Sequence, residues 1–211
     1  FTGLLAGNYT VLVTDANGCT ENFAAAISNT AAPAITGAPV TDLTCFNSGN
    51  GTLTINANGG TAPLNYSIDN GATFQSGNSF TNLPAGNYQL VVEDALGCQA
   101  NFAATITEPA LLTINTASVN TTCSASNGSI TITAGGGTTA YNYSIDGGTT
   151  NQLSDVFAGI ASGNYVALVT DANGCTAQAN VTITDAPGPG ITSANGTDAT
   201  CNGSNDGSIT V

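Results

Sequence analysis

Residues 163–175 read GNYVALVTDANGC, and this stretch decides the fold. Its apolar residues alternate over one short segment, which predicts a half-buried β-strand, and the Asp-Ala-Asn-Gly run that follows predicts a tight turn. The stretch recurs as GNYTVLVTDANGC at 7–19 and as GNYQLVVEDALGC at 86–98, so the offsets between successive cysteines are 98 − 19 = 79 and 175 − 98 = 77. This near-constant period predicts tandem copies of one small β-domain.

A second cysteine keeps the same period. Thr-Cys occurs at 44–45, 122–123 and 200–201, with cysteine offsets of 123 − 45 = 78 and 201 − 123 = 78. Each pair precedes a run of small polar residues and then a strand-like segment. We therefore predict four parts of the chain: the C-terminal part of a repeat at 1–32, complete repeats at 33–109 and 110–187, and the N-terminal part of a further repeat at 188–211. We expect the proline-bearing joints between them to make a semi-rigid rod.

Alternation with period two runs through each repeat and defines its inward face. Leu53, Ile55 and Ala57 share one side of a predicted strand, and Ile130 and Ile132 begin the equivalent face of the next repeat. No stretch has helical period, and Gly, Asn and Pro clusters separate the strands. The pattern predicts an all-β fold, a tandem array of immunoglobulin-like (PKD-like) β-sandwich repeats of about 78 residues.

Tyrosines recur at fixed places in this pattern. The Gly-Asn-Tyr that begins the second-last strand lies where a tyrosine corner is expected in such sandwiches. The strand phase also predicts core positions, rather than sugar-stacking surface positions, for four rings: Tyr66, Tyr88, Tyr143 and Tyr165.

Composition limits the environment and the partners. The chain has 13 carboxylates and no Lys, Arg or His, giving a net charge of −13. Such a chain repels phosphates, so we expect no nucleic-acid partner. It lacks an apolar run of about eighteen residues, so we expect no direct membrane insertion in this segment. Paired cysteines in small β-domains indicate an oxidising, extracellular location at the cell surface.

The same absences argue against enzymatic chemistry. Without His there is no Ser-His-Asp or Cys-His device, and without Lys there is no Schiff base. We therefore predict no enzyme, no catalytic residues and no cofactor-binding residues. Calcium at Asp15, Asp94 or Asp171 is an alternative, but a lone Asp that caps a turn before a glycine explains the same residues. We predict no metal and no cofactor.

The candidate functional residues are the cysteines, all of which are disulfide candidates: Cys19, Cys45, Cys98, Cys123, Cys175 and Cys201. Sequence alone leaves their connectivity open. In an immunoglobulin-like strand order Cys45 and Cys98 lie at opposite ends of one sandwich, roughly 25–30 Å apart, which favours an interdomain Cys45–Cys175 bond. The alternative is intradomain pairing, Cys45 with Cys98 and Cys123 with Cys175. Under the interdomain scheme the other four cysteines would find partners in repeats beyond this chain.

The ordered motifs of each repeat resemble a known family. As they read in at least one repeat, they are Thr-Cys, Gly-Ser-Ile-Thr-Ile, Gly-Gly-Thr, Tyr-Ser-Ile-Asp, Leu-Pro-Ala-Gly-Asn-Tyr and Asp-Ala-Asn-Gly-Cys. Together they resemble the SprB-type repeat of giant cell-surface proteins of the Bacteroidota. Departures are small: Leu5 replaces the Pro84 type, and the second complete repeat has Ile160-Ala161-Ser162-Gly163. The resemblance implies a large filamentous surface protein, exported by type IX secretion and used in gliding motility or attachment.

The expected function is structural: a stalk or filament region of a large extracellular adhesin. Its expected partners are neighbouring repeats of the same chain, other copies of the filament, or surface glycans. Two alternatives stay open, namely a glycan- or protein-binding module that acts by avidity, and a self-assembling extracellular fibre.

Overall fold

The computed structural model describes residues 1–211, and every regular element in it is a β-strand. The all-β prediction is confirmed. The protein contains no helix that is long and apolar enough to cross a membrane. The chain divides into two compact units, Phe1–Glu108 and Pro109–Val211.

The first unit begins with a hairpin and continues into a sandwich. In the hairpin β1 (Gly7–Thr14) pairs antiparallel with β2 (Thr20–Ile27). The sandwich strands are β3 (Pro33–Gly37), β4 (Val40–Thr41), β5 (Gly51–Thr54), β6 (Asn56–Gly59), β7 (Asn65–Ser67), β8 (Ser79–Leu83), β9 (Gly86–Glu93) and β10 (Gln99–Ile106). One layer has the order β4-β5-β8 with the pair β3-β6 beside it, and the other has the order β10-β9-β7.

The second unit repeats this arrangement and ends in a hairpin. Its strands are β11 (Thr113–Val119), β12 (Thr121–Thr122), β13 (Gly128–Gly135), β14 (Asn142–Ser144), β15 (Val156–Ile160), β16 (Gly163–Thr170), β17 (Thr176–Ile183), β18 (Asp185–Ala186), β19 (Asn195–Thr197) and β20 (Ser208–Thr210). The layers are β11-β13-β15 and β14-β16-β17, and β19 pairs with β20. Two antiparallel layers in this order give each repeat an immunoglobulin-like sandwich.

Each sandwich has its own core, built from the alternating residues of facing layers. Leu53 and Ile55 are fully buried in one layer of the first sandwich, against Leu90 and Val92 in the other. The second sandwich repeats this core with Ile130 and Ile132 against Ala167 and Val169. Burial of these apolar faces supplies the main driving force for folding each sandwich.

The predicted tyrosine corner is present in three repeats. The Tyr88 hydroxyl donates to the Pro84 carbonyl at 2.8 Å, and Tyr165 donates to Ala161 at 2.9 Å. Tyr9 donates to the carbonyl four residues upstream in the same way. The four tyrosines expected in the core are half-buried and pack against it.

Two features of the fold differ from the sequence pattern. Val91 has the phase of an outward residue, yet it is buried because the loop after β7 lies on the outer face of its sheet. The Asn70 amide of this loop donates to the Gln89 carbonyl at 2.9 Å, and the Phe74 ring lies beside Val91 across Gly71. The pattern also does not predict strands β8 and β15, since the segment before Gly86 reads as polar.

Candidate functional site

The recurring chemistry lies in two turns of each repeat, both of which carry a cysteine. We call the Asp-Xaa-Xaa-Gly-Cys turn between the last two long strands the start turn, and the turn that follows Thr-Cys the end turn. The names refer to the end of the repeat at which each turn lies, as the contacts below establish.

One aspartate organises the start turn. In the second unit, Asp171 accepts the backbone N–H groups of Asn173 and Cys175 on Oδ1, both at 2.9 Å, and that of Thr138 on Oδ2 at 2.8 Å. Gly174 has φ +84°, the left-handed conformation that a glycine adopts readily. Asp94 and Asp15 hold the same pair of turn amides at 2.9 Å. The sequence Asp-Xaa-Xaa-Gly-Cys therefore encodes one rigid turn.

Hydrogen bonding keeps the start-turn carboxylates of the complete repeats ionised although they are only 3% exposed. The Thr61 N–H, helped by the amides of Cys98 and Leu96, holds the pKa of Asp94 below its usual range. Burial raises the pKa of Asp171, but its backbone N–H donors outweigh that effect and lower the pKa overall. These donors occupy the carboxylate oxygens, which favours a role in shaping the turn over calcium binding. No group of three or more acidic or Cys side chains is placed to hold a metal ion.

The start turn lies at the end of the sandwich where the repeat begins. In the second unit the Ala172 N–H donates to Thr138 O at 3.0 Å, and the adjacent Gly137 N–H donates to Ala110 O at 2.8 Å. In the first unit the Ala95 N–H donates to the Thr61 carbonyl oxygen at 2.9 Å. The cysteine of this turn is thereby placed beside the first residues of its own repeat.

The end turn is built around an asparagine in both complete repeats. Asn50 Oδ1 accepts the Thr44 N–H at 3.2 Å and Asn50 Nδ2 donates to Thr44 Oγ1 at 2.8 Å. Asn127 makes the same two contacts with Thr122, at 3.0 and 2.9 Å. These bonds hold the residue before each cysteine in a fixed position.

The end turn lies where the repeat finishes. In the first unit Glu108 Oε2 accepts the Asn47 N–H at 2.6 Å. In the second unit the Cys123 N–H donates to Ala186 O at 2.9 Å. Start and end turns are therefore at opposite ends of a sandwich, separated in the first repeat by the eight-residue strand β10, which is about 26 Å long.

The cysteines divide into two groups. Cys45 and Cys175 are disulfide-bonded. Cys19, Cys98, Cys123 and Cys201 are exposed free thiols. The intradomain alternative needs Cys98 and Cys123 as partners, and neither is bonded in this structure.

A third polar turn is not singled out by the sequence analysis. Ser67 and Ser144 are buried, and each donates from Oγ to an aspartate at 2.6 Å, namely Asp69 and Asp146. The Ser67 bond, with two more bonds from Thr73, lowers the pKa of Asp69 to about 2. This turn anchors the loop that covers Val91. The repeated Ser-Ile-Asp at both positions was the available signal.

Comparison with known proteins identifies the repeats. Residues 37–73 and 115–150 match the profile of the SprB repeat. Comparison with curated protein sequences found no match. Among solved structures the insect immune protein hemolin aligns with a TM-score of 0.36 at 14% identity, over 85% of this chain and 56% of hemolin. The two matched segments, one in each unit, confirm the resemblance to the SprB-type repeat drawn from the motifs.

Proposed function

We propose that these SprB repeats form the stalk region of a large extracellular adhesin of the cell surface. In this role they give reach and transmit tension, and they bind no ligand of their own. SprB repeats are typical of cell-surface proteins, which supports the location. Export by type IX secretion and service in gliding or attachment belong to the same proposal.

The observation that carries the proposal is where the oxidised cysteines lie. Cys45 lies in the end turn of the repeat that finishes near Glu108, and Cys175 lies in the start turn of the repeat that begins near Ala110. Both turns therefore belong to the repeat ends that flank the same short joint. We infer that Cys45 and Cys175 are bonded to each other, because the other four cysteines are free.

Such a bond changes the route that tension takes along the chain. Force that enters at the first strand of one repeat would leave its backbone at Cys45, cross the disulfide to Cys175 and continue in the last strand of the next repeat. The backbone between these two cysteines, including the proline joint, would carry no tension. This property suits a stalk.

Exposed side chains favour the stalk over a binding module. A module that acts by avidity needs the same contact residues in every copy. The exposed Leu96 has Asn173 as its counterpart in the next repeat, and the exposed Leu153 has Ser76 as its counterpart in the previous one. These exposed leucines therefore do not recur between the two complete repeats.

The experiment removes whole repeats from the protein on its native cells. Deleting complete repeats in frame should shorten the distance between cell surface and filament tip, measured by electron microscopy with a tip-directed antibody, in proportion to the number deleted. Cell attachment should persist at close range. If soluble repeats instead blocked attachment in competition, the repeats would themselves bind a ligand and the stalk proposal would be wrong.

A further inference from the structure

The free thiols of the complete repeats occupy the same positions as the bonded ones. Cys98 closes a start turn whose aspartate holds the same backbone amides as the turn of Cys175. Cys123 follows a threonine held by Asn127, as Cys45 follows one held by Asn50. Each complete repeat therefore has one start-turn cysteine and one end-turn cysteine, at opposite ends.

We propose that the pairing follows a rule: an end-turn cysteine accepts only the start turn of another SprB repeat. The partner of Cys123 or Cys201 is thus an Asp-Xaa-Xaa-Gly-Cys turn, and the partner of Cys98 or Cys19 is a Thr-Cys turn. A second copy of this chain supplies both kinds of turn. The inference deepens the proposed stalk function and rests on it, since it extends the joint disulfide to every joint of an array.

The geometry at each end makes the two kinds of turn different. The start turn is rigid, because a buried carboxylate holds its amides and the thiol comes directly after the glycine. In the end turn of the second repeat, Cys123 and Ser124 have φ of +55° and +57°, and the Ser124 N–H donates to Asp185 Oδ1 at 3.1 Å. Two unlike surfaces of fixed shape favour pairing of one kind with the other, whereas two identical turns have no reason to fit.

The chemistry is a balanced thiol–disulfide exchange. A thiolate of one turn attacks a small disulfide such as oxidised glutathione, releasing one glutathione thiol. The partner thiolate then displaces the second glutathione. Two cysteine thiols are oxidised to one cystine, and one glutathione disulfide is reduced to two thiols.

Complementary variants of the full chain test the rule. One variant, C19S/C98S, keeps only end-turn thiols, and the other, C123S/C201S, keeps only start-turn thiols. In a glutathione redox buffer each variant alone should stay monomeric, and the equimolar mixture should form disulfide-linked dimers. Thermal melts of both variants would verify that they fold.

Isotope labelling of one variant and peptide mapping without reductant identify the bonds. The mapping needs a protease that cuts at Asp or Glu, since the chain has no Lys or Arg. Dimers of either variant alone, as abundant as those of the mixture, would overturn the rule. So would a mixture that stays monomeric. The Cys45–Cys175 peptide is read in the same map, and its absence would count against the joint bond of the proposed function instead.

Discussion

When the chain is pulled from its two ends, an intact disulfide should prevent part of the backbone from extending. If Cys45 and Cys175 are joined, the backbone between them cannot extend. At 3.3–3.6 Å per extended residue, this locked segment of roughly 130 residues corresponds to about 430–470 Å of chain. Outside the segment closed by the disulfide, unfolding frees only about 12 residues of each repeat, or roughly 40 Å of chain.

Single-molecule force spectroscopy measures these lengths directly. The chain would be placed between marker domains of known unfolding length and stretched with and without reductant. With the bond intact, the two repeats should release only the short segments outside it. After reduction each repeat of about 78 residues should unfold in full, with a gross extension of about 260–280 Å.

Matched variants separate the bond from other effects of reductant. C45S/C175S should behave like the reduced protein at all times. C98S/C123S removes two thiols that are already free, so it should keep the full difference between oxidised and reduced traces. Two full-length extensions in the oxidised wild-type protein would refute the inferred bond and, with it, the force path through the stalk.

Five further substitutions probe the turns and the tyrosine corner by urea unfolding. Asp171→Ala leaves three backbone N–H groups without their acceptor and should destabilise the second repeat by about 2–4 kcal/mol; an unchanged midpoint would mean that the turn does not depend on the carboxylate. Gly174→Ala, at φ +84° with open space around the new Cβ, should lower the free energy of unfolding by about 1 kcal/mol. Gly137→Ala should lower it by about 1–3 kcal/mol more, because its Cβ would lie 2.7 Å from Asp171 Oδ2. Equal losses of stability in the two variants would contradict this clash. Tyr165→Phe removes the 2.9 Å corner bond and should cost about 0.5–1.5 kcal/mol, and no loss would deny the corner a stabilising role. The folded-state pKa of Asp69 is about 2, below the unfolded value of about 3.9. Its contribution to the free energy of unfolding is therefore present above about pH 4 and is lost as the pH falls through about 2. Asp69→Asn should reduce the loss of stability between these pH values, and an unchanged loss would show that other carboxylates cause it.

The sequence predicted the sandwich well because its signals are local and repeated. Leu53 and Ile55, and their counterparts Ile130 and Ile132, are fully buried as their alternation requires. The tyrosine corner was predictable for the same reason, since its bond joins residues only four apart.

The features that sequence reasoning missed depend on contacts distant in sequence. Val91 alternates as an outward residue and is buried only because a separate loop returns over its sheet. Strand β8 pairs with β5 across a long intervening segment, with Phe80 opposite Leu53, and it is too short and too mixed in composition to show a period. The links of the start turn to Thr61 and Thr138 span 33 residues, so no local motif contains them.

The cysteine connectivity could be predicted from the sequence only in part. Strand length alone placed Cys45 and Cys98 too far apart for one bond, an inference that needs only the strand order. The structure adds the contacts that fix each turn at its end of the repeat, namely those of Glu108 and Ala110 within their own units.

The charge of the chain bears on how such repeats associate. With 13 carboxylates and no cation, the buried aspartates obtain their stabilisation from backbone N–H groups, and the exposed carboxylates have no basic side chain to pair with. Two such chains side by side repel one another over a range of about 10 Å at 0.1 M salt. We expect this repulsion to oppose lateral assembly into a fibre. In the proposed stalk, a disulfide between neighbouring repeats would hold their ends together against this repulsion. A covalently joined stalk fits this charge pattern better than a laterally packed fibre.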